Sequence, residues 1–185
     1  MKTLVIIPSR LSATRLPGKP LLKINGVSII SHVYKRAEKA NIGEVIVAAE
    51  DKEIVDDIKT NGGNAILTSK KPKTGTDRVY EALKILDRND VELVMNIQGD
   101  EPEIDITDIK KLYDSMKNNK KARIGTLAAK ISDIKMYENQ NVVKVKTKES
   151  FDQNPFPLVE NFFRNIEKNE NTFHHIGIYC YEVET

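Results

Sequence analysis

The feature that most constrains this chain is an alternation of two hydrophobic periods. Four short apolar runs rich in β-branched residues occur in order: "TLVIIP" (Thr3–Pro8), "EVIVAAE" (Glu44–Glu50), "AILTS" (Ala65–Ser69) and "VELVMNI" (Val91–Ile97). Runs that are apolar at nearly every position need cover on both faces, the condition of a strand inside a parallel sheet. The segments between them have helical spacing. Ser28 caps a predicted helix with Ile29, Ile30, Val33 and Ala37 on one face. Asp51 opens a second, with Ile54, Val55 and Ile58 inward and "NGG" (Asn61–Gly63) as its stop. Thr76 or Asp77 opens a third, carrying Val79, Leu83 and Leu86. A fourth runs from about Thr107 to Asn118, with Ile109, Leu112 and Met116 apolar. Strand and helix in strict alternation predict an α/β fold: a Rossmann-like, mostly parallel sheet with helices on both faces.

From Ile124 the rhythm changes. "IGTLAAKI", "NVVKVKT" and "HHIGIYCYEV" read as strands with little helix between them, so residues 124–185 are expected to form a mixed or antiparallel extension of one domain spanning 1–185. Asn154–Thr172 reads as a long connection broken by Pro155 and Pro157: a lid, an arm or a partner surface.

The charge balance narrows the function. Lys and Arg number 29 against 27 Asp and Glu, a net charge of +2. Near-neutrality argues against a dedicated nucleic-acid binder or a polybasic membrane binder and directs attention to local clusters. One cysteine, Cys180, excludes an intrachain disulfide and a cysteine-based zinc site. The opening residues lack the long apolar core of a secretion signal, and no window approaches the roughly 18 apolar residues of a membrane span. The cytoplasm is the expected compartment.

Two clusters fall at strand ends, where open parallel sheets bind ligands. "PSRLSATRLPGKPL" follows the first strand and holds Arg10, Arg15 and Lys19 among prolines that keep it from being helical. A backbone so constrained presents N–H groups and cations in a nearly fixed array, which suits an oligophosphate. The loop lacks the Ser/Thr and spacing of a P-loop, and no G-x-G-x-x-G follows a strand. "QGDEP" follows the fourth strand, and Asp100 there either holds Mg2+ with substrate phosphates or balances a helix dipole. In "TGTDR", Gly75 allows close approach of backbone to a ligand, and Arg78 either meets an acidic group or lies exposed beside a helix cap. His174 and His175 are adjacent, so in a strand they point to opposite faces and do not form a facing pair.

In this order and at these separations, "VIIPSRLSATRLPGKPL", "GTDR", "NIQGDEP" and "HIGIY" resemble the 3-deoxy-manno-octulosonate (Kdo) cytidylyltransferases, over Met1 to Tyr181. The resemblance implies a nucleotide-diphospho-sugar transferase-like fold and the reaction of CTP with Kdo to give CMP-Kdo and pyrophosphate, for lipopolysaccharide biosynthesis. It implies that Pro8, Arg10, Arg15, Lys19 and Gly75 hold CTP, that Asp100 binds Mg2+, and that Arg10, Lys19 and Asp100 carry catalysis. It implies Kdo contacts from Arg78, Gln98, His175 and Tyr179, and a homodimer. Two departures accompany it. The family runs beyond the position of Thr185 and includes a second metal-binding Asp there, so this chain is either a C-terminally truncated piece or has an incomplete metal site. Gln153 in "FDQNPFP" stands where the family's F-S-R-x-x-I-P segment has its Arg. That departure leaves room for another sugar acid, 8-amino-Kdo or a nonulosonate. A non-catalytic nucleotide-binding fragment is the alternative of another class.

Overall fold

A computed structural model describes residues 2–12, 16–165 and 170–183. These fall into two compact units: one holds the described residues through Gly125 and from Ile178 onward, the other those of Thr126–Gly177.

In the first unit, β1 (Thr3–Ser9) leads through a 3-10 turn (Lys19–Leu21) and the small hairpin β2 (Lys23–Ile24) and β3 (Val27–Ser28) into α1 (Ile29–Ala40). Then come β4 (Glu44–Ala49), α2 (Lys52–Thr60), β5 (Ala65–Leu67), α3 (Gly75–Leu86), β6 (Leu93–Asn96) and α4 (Ile106–Asn118). Strand β1 lies parallel between β4 (Leu4 opposite Glu44) and β6 (Thr3 opposite Leu93), and β5 extends the sheet beyond β4. All seven residues of β1 are buried, as its unbroken apolar run requires. Leu4, Ile6, Ile46, Ala48 and Val94 pack with Val79 and Ala82 of α3 on one face. Ile7 and Ile30 of α1 both lie beside Gly99, and α1 packs against α2 and α4. Each fully buried Leu or Ile side chain contributes about 1.5–3 kcal/mol, so the sheet centre carries much of the stability.

Helix α1 starts as expected, with Ser28 Oγ accepting from the Ser31 N–H at 3.2 Å. Helix α3 starts earlier than expected. Thr74 is its N-cap, and Asp77 is the reciprocal partner: Thr74 Oγ1 accepts from Asp77 N–H at 3.1 Å while Asp77 Oδ2 accepts from Thr74 N–H at 2.9 Å. The Thr74 bonds hold the Asp77 carboxyl below its ordinary value of 3.8. A depressed acid stabilises the fold fully above its unfolded pKa, and the contribution is lost as pH falls through the folded one. Thr74→Ala removes the N-cap hydroxyl and is expected to cost about 1 kcal/mol at neutral pH. The gap from wild type in thermal melts should shrink as the buffer is taken below pH 3.8, where the box loses its carboxylate in both proteins.

In the described residues of the second unit the sheet is antiparallel. With β7 (Ile124–Ala129), α5 (Lys135–Glu138), β8 (Lys144–Thr147), β9 (Val159–Phe163) and β10 (Thr172–Glu182) in chain order, β8 pairs with β9 and with Thr172–His174 of β10. Strand β9 lies inside the segment expected to be a long connection forming a lid, an arm or a partner surface; its Val and Phe residues find ladder partners in β8 despite the prolines just before it. Lys144 is fully buried, and its ammonium donates to the carbonyls of Asn139 (2.8 Å) and Arg164 (2.5 Å). Burial, then the charge of Arg164, pushes its pKa down. The expected 124–185 extension is not one unit, because Tyr179–Glu182 pair antiparallel with β6 in the first unit. No described helix is long and apolar enough to cross a membrane.

Candidate functional site

The chain passes from β1 outward through β4 to β5, then returns to place β6 on the other side of β1. This reversal opens a crevice beyond the carboxyl ends of β1 and β6, the place where open α/β sheets bind ligands. A cavity of about 270 Å³ lies there. Pro8, Ser9 and Arg10 line it from the end of β1, and Lys19 and Pro20 from the 3-10 turn. Pro72 to Gly75 and Arg78 come from the start of α3, and Gln98, Gly99 and Asp100 from the end of β6. The two strand-end clusters and "TGTDR" thus meet in one hollow, and Pro8, Arg10, Lys19, Gly75, Arg78, Gln98 and Asp100 all reach it.

Local chemistry shapes each wall. Gly18, at φ 72°, takes the left-handed conformation that turns the basic loop into the 3-10 helix, and its N–H donates to the Leu11 carbonyl at 3.0 Å. Gly99 cannot carry a side chain: a Cβ there would lie 2.9 Å from Ile30 Cδ1 and 3.0 Å from the Pro8 carbonyl oxygen. Only glycine lets the "QGD" turn pass so close to the end of β1. Arg15 lies outside the described residues.

Lys19 Nζ donates to Asp100 Oδ2 at 2.9 Å, with the two side chains 31% and 55% exposed. An ion pair this open to solvent contributes between zero and about 1 kcal/mol to the fold, so a ligand can break it at little cost. Beside it, burial and then the charge of Asp100 raise the Glu101 carboxyl, with Lys19 opposing. Asp100 and Glu101 are hard oxygen donors, and no group of three or more His, Cys, Asp or Glu gathers here or anywhere else among the described residues. That donor set fits Mg2+, which takes one or two carboxylates and completes its shell with phosphates and water.

Arg78 is buried, contrary to an exposed residue beside a cap. Its guanidinium donates to Thr68 Oγ1 at 2.6 Å and to the Ser69 carbonyl at 3.1 Å, and it is ion-paired with Glu50. Tyr179 faces Asn96 across the sheet and stacks on Tyr181 at 6.0 Å, and it is not among the residues lining the cavity. In the second unit, His175 Nε2 is 2.9 Å from Thr126 Oγ1 and its ring meets the Phe162 edge at 5.0 Å. Burial, then the neighbouring His174, lowers its pKa. Gln153 closes a turn, its side-chain oxygen accepting from the Ser150 N–H at 3.2 Å.

Three features were not read from the sequence. Ser9 is buried, and its hydroxyl has no partner among the described residues. Lys73 adds a cation to the cavity wall, a signal present in "KKPKTG". Glu50 and Asp51 reach across from β4, which nothing local reveals.

The family model for cytidylyltransferases matches residues 4–185. The chain is 41% identical over 195 residues to the 3-deoxy-manno-octulosonate cytidylyltransferase of Thermodesulfovibrio yellowstonii, covering 99% of this chain and 76% of that one. It is 41% identical over 188 residues to the protein of the same name from Fusobacterium nucleatum, covering 98% and 74%. Among solved structures, that of CMP:2-keto-3-deoxy-manno-octonic acid synthetase complexed with CTP matches with a TM-score of 0.85 at 32% identity, over 98% of this chain and 74% of that one.

Proposed function

This chain belongs to the 3-deoxy-manno-octulosonate cytidylyltransferase family, and from that premise we propose that it transfers the CMP group of CTP to Kdo, releasing pyrophosphate and supplying an activated sugar for lipopolysaccharide assembly in the cytoplasm. The oxygen of the sugar's anomeric 2-hydroxyl forms a bond to the α-phosphorus, its proton passing to solvent, as the bond to the bridging oxygen of pyrophosphate breaks. Two anions must approach each other, and negative charge moves onto the leaving group. Little covalent chemistry falls to the protein; positioning and charge stabilisation do the rest.

One observation carries this reading: Arg10, Lys19 and Asp100 share one cavity, with Lys19 and Asp100 already paired at 2.9 Å. Arriving triphosphate draws Lys19 away from Asp100 and joins it with Arg10 on the phosphates, with Pro8, Arg15 and Gly75 beside the nucleotide. Asp100, so released, would hold Mg2+, which would neutralise phosphate charge and act as a Lewis acid. Gln98 and Arg78, both on the cavity wall, receive the sugar acid. A homodimer belongs to the same reading, with the exposed Phe162 of the edge strand β9 in its contact; a solution mass of a single chain would remove it. The test is pyrophosphate release from CTP with Mg2+, with and without Kdo. Release that depends on Kdo is expected. Release only with 8-amino-Kdo or a nonulosonate would keep the transfer and change the substrate, and CTP binding with no release under any sugar acid would reject the enzyme.

A further inference from the structure

In the described residues of the cationic loop, Gly18 N–H donates to the Leu11 carbonyl at 3.0 Å and local bonds close the 3-10 turn, while Pro17 and Pro20 contribute no N–H. Further ties to the start of the loop come from the two residues that follow β4. Leu11 N–H donates to Asp51 Oδ2 at 2.7 Å, and Ser12 Oγ donates to Glu50 Oε1 at 3.2 Å. The second oxygen of Glu50 pairs with Arg78 in the first turn of α3, so one carboxylate ties the basic loop to the opposite wall. The tie is buried on that side, where the Arg78 and Glu50 side chains are 3% and 9% exposed. Neither acid lines the cavity.

Asp51 breaks a local rule in doing this. It occupies the N-cap of α2, yet its side chain makes no capping hydrogen bond and serves the loop instead. A residue that gives up its local role for a distant backbone N–H marks a site where function has overridden propensity. We infer that Glu50 and Asp51 are positioning residues: together they clamp the loop carrying Arg10 and Lys19, and the first turn of α3, at the spacing a triphosphate requires. The inference rests on the cytidylyl-transfer reading for its ligand and on geometry alone for its clamp.

The test uses the whole chain. Asp51→Ala removes the loop bond without removing a cap, and Asp51→Ala with Ser12→Ala removes both loop bonds while leaving the Glu50–Arg78 pair intact, so neither should fail to fold. Losing a charge-assisted bond to the loop backbone is expected to raise the KM for CTP about tenfold. The kcat should change less than about threefold and the KM for the sugar acid less than about twofold, since a positioning defect confined to the phosphate loop acts on one substrate. Asp51→Asn, whose amide oxygen still accepts from Leu11 N–H, should restore most of the CTP KM. A merely structural role would lower the melting temperature and leave this split and its rescue unmoved. Amide exchange in peptides covering residues 9–22, measured without substrate, should speed up in the double variant about tenfold or more. A double variant with a CTP KM within twofold of wild type and unchanged exchange there overturns the inference. If the wild type releases no pyrophosphate, the functional reading fails, and the exchange measurement still decides the clamp.

Discussion

Asp100→Ala and Lys19→Ala are each expected to lower pyrophosphate-forming turnover by about 10²–10³-fold, the scale seen when one preorganised charge is removed from a transition state. Both proteins should melt within about 4 °C of wild type, because the pair they break is solvent-exposed and worth at most about 1 kcal/mol. Their effects on binding should separate. Lys19→Ala removes a cation from the phosphate site, so CTP should bind more weakly with or without Mg2+. Asp100→Ala removes the group that holds Lys19 in the free protein and repels the triphosphate. In the absence of divalent metal it should bind CTP about threefold more tightly, while turnover collapses. Opposite signs for affinity and turnover at one position cannot come from misfolding. The double variant should lose little more turnover than either single one, since both side chains serve the same phosphates. Turnover within threefold of wild type in either single variant removes that residue from the site.

What could be read from the sequence was whatever local pattern determines. The four parallel strands were legible because burial on both faces leaves an unbroken apolar run, as in β1, where all seven residues are buried. The two strand-end clusters were legible because position in a parallel sheet already says where a ligand binds. Residue types alone left other points open. Asp77 read as a helix opener, but an acid three residues past the cap closes the box from inside. Asp51 was placed correctly at the start of α2, but its side chain answers to Leu11, a contact with no trace in the local pattern. Glu50 read as the last residue of a strand and Arg78 as a cation that either meets an acidic group or lies exposed beside a cap; that they bury each other depends on β4 and α3 meeting in space. Strand β9 was missed because Pro155 and Pro157 signal a break, and only its pairing with β8 makes Val159–Phe163 a strand.

The same buried pair sets the largest stability effect. Arg78→Met should cost about 3–5 kcal/mol, the penalty for leaving a buried carboxylate without its cation. The change also strips donors from Thr68 Oγ1 and the Ser69 carbonyl, both of which Arg78 now serves. Solvent screening does not weaken the pair, because the two side chains are only 3% and 9% exposed. Glu50→Gln is milder, about 1–3 kcal/mol, since its amide oxygen still accepts from the guanidinium. If the cost of Arg78→Met lies mainly in the stranded carboxylate, adding Glu50→Gln should recover part of it. Urea unfolding should then give a coupling between the two positions of about 1–2 kcal/mol in that direction. A single-variant cost below about 1 kcal/mol would mean that the pair does not hold the wall of the cavity. Kinetics on the same proteins, at a temperature where Arg78→Met is still fully folded, separate wall from ligand contact. A residue acting only through the wall should show its loss in the CTP KM, as is expected of Asp51→Ala, whereas one that grips the sugar carboxylate should show it in the KM for the sugar.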